Sequence, residues 1–111
     1  MGVRAGWLGA ALAACAGLAL AEEPAFAPPN LSASGVRDMA ANCAACHGTE
    51  GRAVPGSRTR ALAGRTDVAQ LLRAFRDGKR ESTVMKQIAH GYGDAEIDAI
   101  GAYFAHRPVD R

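Results

Sequence analysis

Apolar positions recur along this chain at helical spacing, and no stretch shows convincing alternation of period two. Val36, Met39, Ala40 and Cys43 predict a helix from Gly35 to about Ala45, capped by Ser34. Residues 48–65, with Gly48, Gly51, Pro55, Gly56 and Gly64, read as a loop. Thr66 then caps a predicted helix with the stripe Val68, Leu71, Leu72 and Phe75, stopped by Gly78. Val84, Met85 and Ile88 mark a short helical turn between Ser82 and His90, broken by Gly91-Tyr92-Gly93. A last helix is predicted from Asp94 to about His106, with Ile97, Ile100, Tyr103 and Phe104 inward and Pro108 beyond its end. Asp94 and Glu96 suit its first turn, where the helix dipole favours acids. The pattern is all-α, with no internal repeat.

The N-terminal segment follows a different pattern. Arg4 gives a positive start, residues 5–20 are uncharged and apolar, and Ala19-Leu20-Ala21 is a small-residue cleavage site ahead of Glu22 and Glu23. Residues 1–21 therefore read as a secretory signal peptide. The run is short for a retained membrane anchor, the first alternative. Leu12-Ala13-Ala14-Cys15 also resembles a lipoprotein processing box, which would leave Cys15 acylated. Cleavage after Ala21 leaves a chain of 90 residues in an exported, periplasmic setting. Pro-rich residues 22–33 read as a flexible lead-in, and residues 34–108 as the folded domain.

Composition makes the core a problem. The 111 residues leave room for one domain, not for a two-domain enzyme with a substrate cleft. Hydrophobic residues are 49% but aromatics only 5%, and much of the remainder is alanine, which buries little area. So small a domain usually needs a metal or prosthetic group as a staple. A formal net charge of +2 is too mild to imply nucleic acid, and mixed charge with apolar periodicity argues against disorder.

The cysteines point to that staple. With Cys15 removed, Cys43 and Cys46 remain, spaced C-x-x-C. A disulfide framework needs more pairs, a zinc site needs two further clustered ligands, and a thioredoxin-type pair needs a preceding strand. Here the flanks are alanine-rich and helical, and the next residue is His47. C-x-x-C-H is the attachment motif of c-type haem. Two cysteines three apart at a helix end can reach the two vinyl groups on one porphyrin edge, each forming a thioether. The adjacent histidine then presents Nε2 to the iron. Haem would also supply the large apolar centre that the residue list lacks.

The other face of the iron can take a thioether, an imidazole or nothing. Met39 lies one turn before Cys43 and belongs to the core stripe. Met85 lies 38 residues after His47, enough chain to wrap the ring and return, and is the expected axial ligand. His90, on the same segment, is the main competitor; His106 reads as a solvated helix-end histidine.

From Asn42 to Arg107 the chain resembles a class I monohaem cytochrome c. Cys43, Cys46 and His47 are followed by Gly48-Thr49-Glu50-Gly51, and Leu62-Ala63-Gly64 matches the leucine after the haem loop. Phe75-Arg76-Asp77-Gly78-Lys79-Arg80, then Val84-Met85 and Ile88-Ala89-His90-Gly91-Tyr92, is more particular. It is similar to the cytochrome subunits of flavocytochrome c sulfide dehydrogenases and to short cytochromes c-553. The resemblance implies a small fold of three to four helices around one covalent haem, with thioethers at Cys43 and Cys46, His47 proximal and Met85 distal. It departs at Arg60, where such proteins often have the proline whose carbonyl holds the histidine Nδ1 proton, and at Gly93, a weaker cap than the usual Ser or Thr.

Between residues 52 and 80, eight cations face only Asp67 and Asp77, which reads either as a solvated surface with one arginine for a haem propionate or as a basic docking face for an acidic redox partner. No acid–base pair supports catalysis by the chain itself. The expected function is electron transfer, as the haem subunit of a flavoprotein sulfide dehydrogenase or as a free shuttle. A small-ligand-binding haem protein is the other class, and the chain is not expected to be an enzyme.

Overall fold

Asn30 sets the start of the first helix. Its Oδ1 accepts from Ser32 N at 3.1 Å, and Ser32 stays extended at φ −62°, ψ 161°. Ser32 Oγ then accepts from Gly35 N at 3.2 Å. The computed structural model describes residues 29–109 together with Gly2. The expected signal peptide, Cys15 and most of the 22–33 lead-in lie outside the described residues. Helix α1 spans Ala33–Ala41, so its cap is Ser32 rather than the expected Ser34.

The helix expected to continue to Ala45 is interrupted. Asn42 N bonds Met39 O at 3.2 Å and Cys43 N bonds Ala40 O at 3.1 Å, tightening the path to i→i−3 spacing. Helix α2 follows at Ala44–His47, with a 3₁₀ turn at Thr49–Gly51. Helix α3 spans Val68–Arg76, α4 Met85–Ala89 and α5 Asp94–Ala105. Among the described residues five helices wrap one core where three to four were expected, because α2 splits from α1. Among the described residues there is no strand.

Of the two other caps, one differs from expectation and one stands as expected. The residue preceding α3 is Asp67, not Thr66, and its carboxylate turns back to Arg65 Nε and Nη2 at 2.8 and 2.6 Å. Gly93 does precede α5, and Glu96 Oε2 compensates for the missing cap by accepting from Gly93 N at 2.8 Å.

Helices α3 and α5 cross closely because α5 carries a glycine at the contact. A Cβ on Gly101 would stand 2.7 Å from Ala69 Cβ. Val68 and Leu72 of α3 pack there with Ile97, Ile100 and Phe104 of α5, joined by Ala40 of α1 and Ala89 of α4. Phe104, Ile97 and Ile100 are the largest fully buried side chains, while Ala40, Ala63 and Ala89 fill the rest with little volume. The core is as thin as the composition implies. Leu71 and Phe75, on the α3 stripe, are only half-buried.

Ion pairs tie the same two helices at the surface. Arg73 reaches Asp98 at 2.7 Å and Asp94 at 3.5 Å, and Arg76 reaches Asp94 at 2.9 Å. Two of the eight cations of the basic run, Arg73 and Arg76, are therefore matched to the acids of α5. Among the described residues, Arg58, Arg60, Lys79, Arg80 and Lys86 form no ion pair.

Candidate functional site

The half-buried apolar side chains left over from the core surround one cavity of about 400 Å³. Leu62, Leu71, Phe75, Val84 and Ile88 line it, with Val68, Leu72, Ile100 and Phe104 at its base. Val84 is 54% exposed and Ile88 39%. Large apolar side chains left open around a cavity are an unfinished core. Cys43, Cys46, His47 and Met85 all line this cavity.

Cys43 and His47 are placed by the helical path. Gly48 N and His47 N bond back to Ala44 O and Cys43 O at 3.0 and 2.9 Å, closing the turn that holds the pentapeptide. Cys43 is half-buried, and burial pushes its thiol above the ordinary range; Cys46 is exposed. The chain then turns at Gly51, whose φ is +77° and whose Cβ, if present, would lie 2.8 Å from Phe104 Cδ1 and 2.9 Å from Ala63 N. Only glycine suits that position. Leu62 N and Ala63 N both donate to Gly51 O, at 2.8 and 3.1 Å, so the long loop is closed at its base.

That closure brings Arg60 to His47. His47 Nδ1–H donates to Arg60 O at 2.6 Å. A carbonyl can only accept, so the proton is on Nδ1 and Nε2 is the ring nitrogen left to bind a metal. The absent proline leaves this bond intact, because the acceptor is backbone and needs no particular side chain.

The two competing histidines lie elsewhere. His90 is exposed, and its Nε2–H donates to Arg76 O at 2.9 Å. His106 Nδ1–H donates to Ala102 O of its own helix at 2.7 Å. Neither lines the cavity. Met39 packs against the core and is likewise absent from the lining. Sequence reasoning passed over Thr59 and Thr83 as cavity-lining residues, and the lining also takes Arg60, Arg65 and Arg80 from the basic run. Arg80 stacks over the Phe75 ring at 5.3 Å, on the cavity wall.

The residues fit the expected haem. The walls are apolar, a paired-cysteine edge and an oriented imidazole share the cavity, and a thioether stands on its lining. Among the described residues no three His, Cys, Asp or Glu side chains gather as a protein-only metal site would need.

Comparisons with known proteins place the chain among cytochromes. Residues 30–104 match the family described as cytochrome C oxidase, cbb3-type, subunit III. Over 88 residues the chain is 34% identical to the cytochrome subunit of sulfide dehydrogenase of Chlorobaculum tepidum, covering 78% of this chain and 76% of that protein. Over 68 residues it is 37% identical to the thiosulfate dehydrogenase electron acceptor of Thiomonas intermedia. That match covers 60% of this chain and only 31% of the Thiomonas protein.

Proposed function

This chain belongs to the class I monohaem cytochromes c, in the family described as cytochrome C oxidase, cbb3-type, subunit III, and we propose that it carries single electrons in the periplasm as the haem subunit of a flavoprotein sulfide dehydrogenase. Its cofactor is covalently bound haem c, and it transfers electrons without being catalytic itself. When bound, the haem iron supplies reversible one-electron chemistry. On our reading Cys43 and Cys46 hold the haem through thioethers, His47 Nε2 is the proximal ligand and Met85 Sδ the distal one.

The hydrogen bond from His47 to Arg60 O carries this reading. It fixes the ring tautomer and orientation before any metal binds, and it raises the basicity of Nε2. Leu71, Phe75, Val84 and Ile88 line the cavity and would shield a bound haem from water. Met85 offers a neutral, soft donor, which favours the reduced iron and raises the potential. Arg60 and Arg80, on the cavity lining and without ion pairs, are suited to the haem propionates or to an acidic partner at the rim.

The oxidised holoprotein should show a weak charge-transfer band near the red end of the spectrum, from sulfur-to-iron ligation. Mixed with the flavoprotein subunit of a sulfide dehydrogenase, it should be reduced on adding sulfide and co-elute with that subunit. Reduction by a thiosulfate dehydrogenase without co-elution would favour the second reading, a free acceptor, which the likeness to the Thiomonas protein supports. Export rests on residues 1–21: N-terminal sequencing of the secreted protein should begin at Glu22, and a lipid-modified Cys15 would place it on a membrane surface instead. No helix among the described residues is long and apolar enough to cross a membrane.

A further inference from the structure

Met85 leads α4, a helix of five residues. A helix that short is not held by its own backbone bonds, so its position depends on what grips it. Ser82 Oγ accepts from Lys86 N at 2.9 Å at one end. Ala89 is fully buried in the core. At the other end stands His90, whose Nε2–H donates to Arg76 O at 2.9 Å.

That acceptor is an orphan. Arg76 is the last residue of α3, and helix ends leave their final carbonyls without backbone partners. Arg80 N, which would meet Arg76 O in a longer helix, goes instead to Ala74 O at 3.1 Å. The His90 imidazole fills the vacancy from another element. Arg76 also reaches Tyr92 O through Nη1 at 3.4 Å, so one residue ties the chain just beyond α4 twice.

We propose that His90 is a positioning residue for Met85: by closing the open end of α3 it latches α4 in place and holds the methionine on the cavity wall. His90 does not line the cavity and so does not itself touch the haem. The proposal rests on the reading of Met85 as distal ligand. It assigns His90 an effect on how readily the methionine is displaced, and none on how the haem is attached.

The test is displacement of the methionine by imidazole in the oxidised holoprotein, followed by the sulfur-to-iron band. His90→Leu should retain the band but lose it at an imidazole concentration roughly three- to tenfold lower than wild type, the effect of removing one hydrogen bond. His90→Gln, which sets an N–H donor near the Nε2 position, should stay within about twofold of wild type. His106→Leu removes an exposed histidine whose bond stays within α5, and should match wild type. If His90→Leu does not load haem, His90→Asn, whose amide is too short to reach Arg76 O, carries the same expectation. Equal midpoints for wild type and the bond-deficient variant overturn the proposal, as does an equal shift in His106→Leu. A wild type without the band overturns the Met85 reading and the latch with it, whereas a normal band with unmoved midpoints overturns the latch alone.

Discussion

His47 and Met85 stand on walls of the same cavity that are built in different ways. His47 ends α2, which continues the path of α1 and runs directly into the Gly48–Gly51 turn. Its ring is bonded to Arg60 O, and the loop bearing Arg60 is closed by two bonds onto Gly51 O. Apart from the His47 ring, every group in these bonds is backbone, and the bonds that close α2 and the turn after it are between near neighbours in sequence. Met85 packs against the core from the first of five helical residues, which follow exposed Val84 and include exposed Ile88; beyond their own short-range backbone bonds they are held by a serine, an alanine and a histidine. One wall is redundant and the other depends on single contacts. A redox site gains from this, since the attachment side must survive while the far side sets the potential. The methionine wall should therefore yield first under any stress.

The largest effect should come from damage to the redundant wall. Cys46→Ala leaves one thioether available, so the cavity loses the secure placement of the group that completes its core. Haem content by mass should fall, and the purified product should lose much of its helical circular dichroism. Met85→Ala is the matching change on the other wall. It should abolish the sulfur-to-iron band and let carbon monoxide bind the reduced protein readily, while helicity stays near wild type. Its stability cost should be about 1–3 kcal/mol, since the side chain is only half-buried. Equal loss of helicity in the two variants would sink the comparison.

Gly51→Ala attacks the His47 wall without touching a ligand. The added Cβ meets Phe104, Ala63 and Leu62 within 2.9 Å at a φ of +77°. We expect a loss of about 2 kcal/mol, or a fall in Tm of roughly 8–16 °C for a domain of this size. The band should persist in whatever remains folded. A variant as stable as wild type would mean that the loop base is not what anchors Arg60.

Those features differ in how far the sequence reveals them. The stripes of α3 and α5 are legible because Val68, Leu72, Ile97, Ile100 and Phe104 must face one core, and the structure buries all five. The pentapeptide from Cys43 to His47 is legible because its chemistry lies in residue types at fixed spacing. Ser34 is the expected cap, but Ser32 takes the role, with its N–H bonded to Asn30 Oδ1 and its Oγ accepting from Gly35 N, a preference that residue type alone does not show. The Arg60 carbonyl leaves no mark in the sequence, because any residue offers one. Arg73 and Arg76 look like free cations until the fold brings Asp94 and Asp98 beside them, from some twenty residues further along the chain. His90 reads as a rival iron ligand; only the end of α3 shows what its proton bonds.

The smallest expected effect lies on the face where α3 meets α5, away from either ligand. The Asp94 carboxyl is held below the ordinary carboxylate range, first by its hydrogen bond from Arg76 and then by the nearby charge, with Arg73 adding to both. A depressed pKa means that the folded state binds the proton more weakly than the unfolded chain does. The contribution is therefore complete above the ordinary carboxylate pKa of about 4, and it fades as pH falls through the depressed value. Asp94→Asn should lower Tm slightly at pH 7, as exposed pairs usually do. The gap from wild type should narrow on acidification below about pH 4, and it should also narrow in high salt, which screens surface charge. The sulfur-to-iron band and its imidazole midpoint should not move, because α4 keeps its grip on Arg76 through the backbone carbonyl whether or not the Arg76 side chain is paired. A gap that widens in acid would mean that Asp94 is stabilised in its protonated form. A shifted imidazole midpoint would mean that the ionic face and the methionine wall are one mechanical unit rather than two.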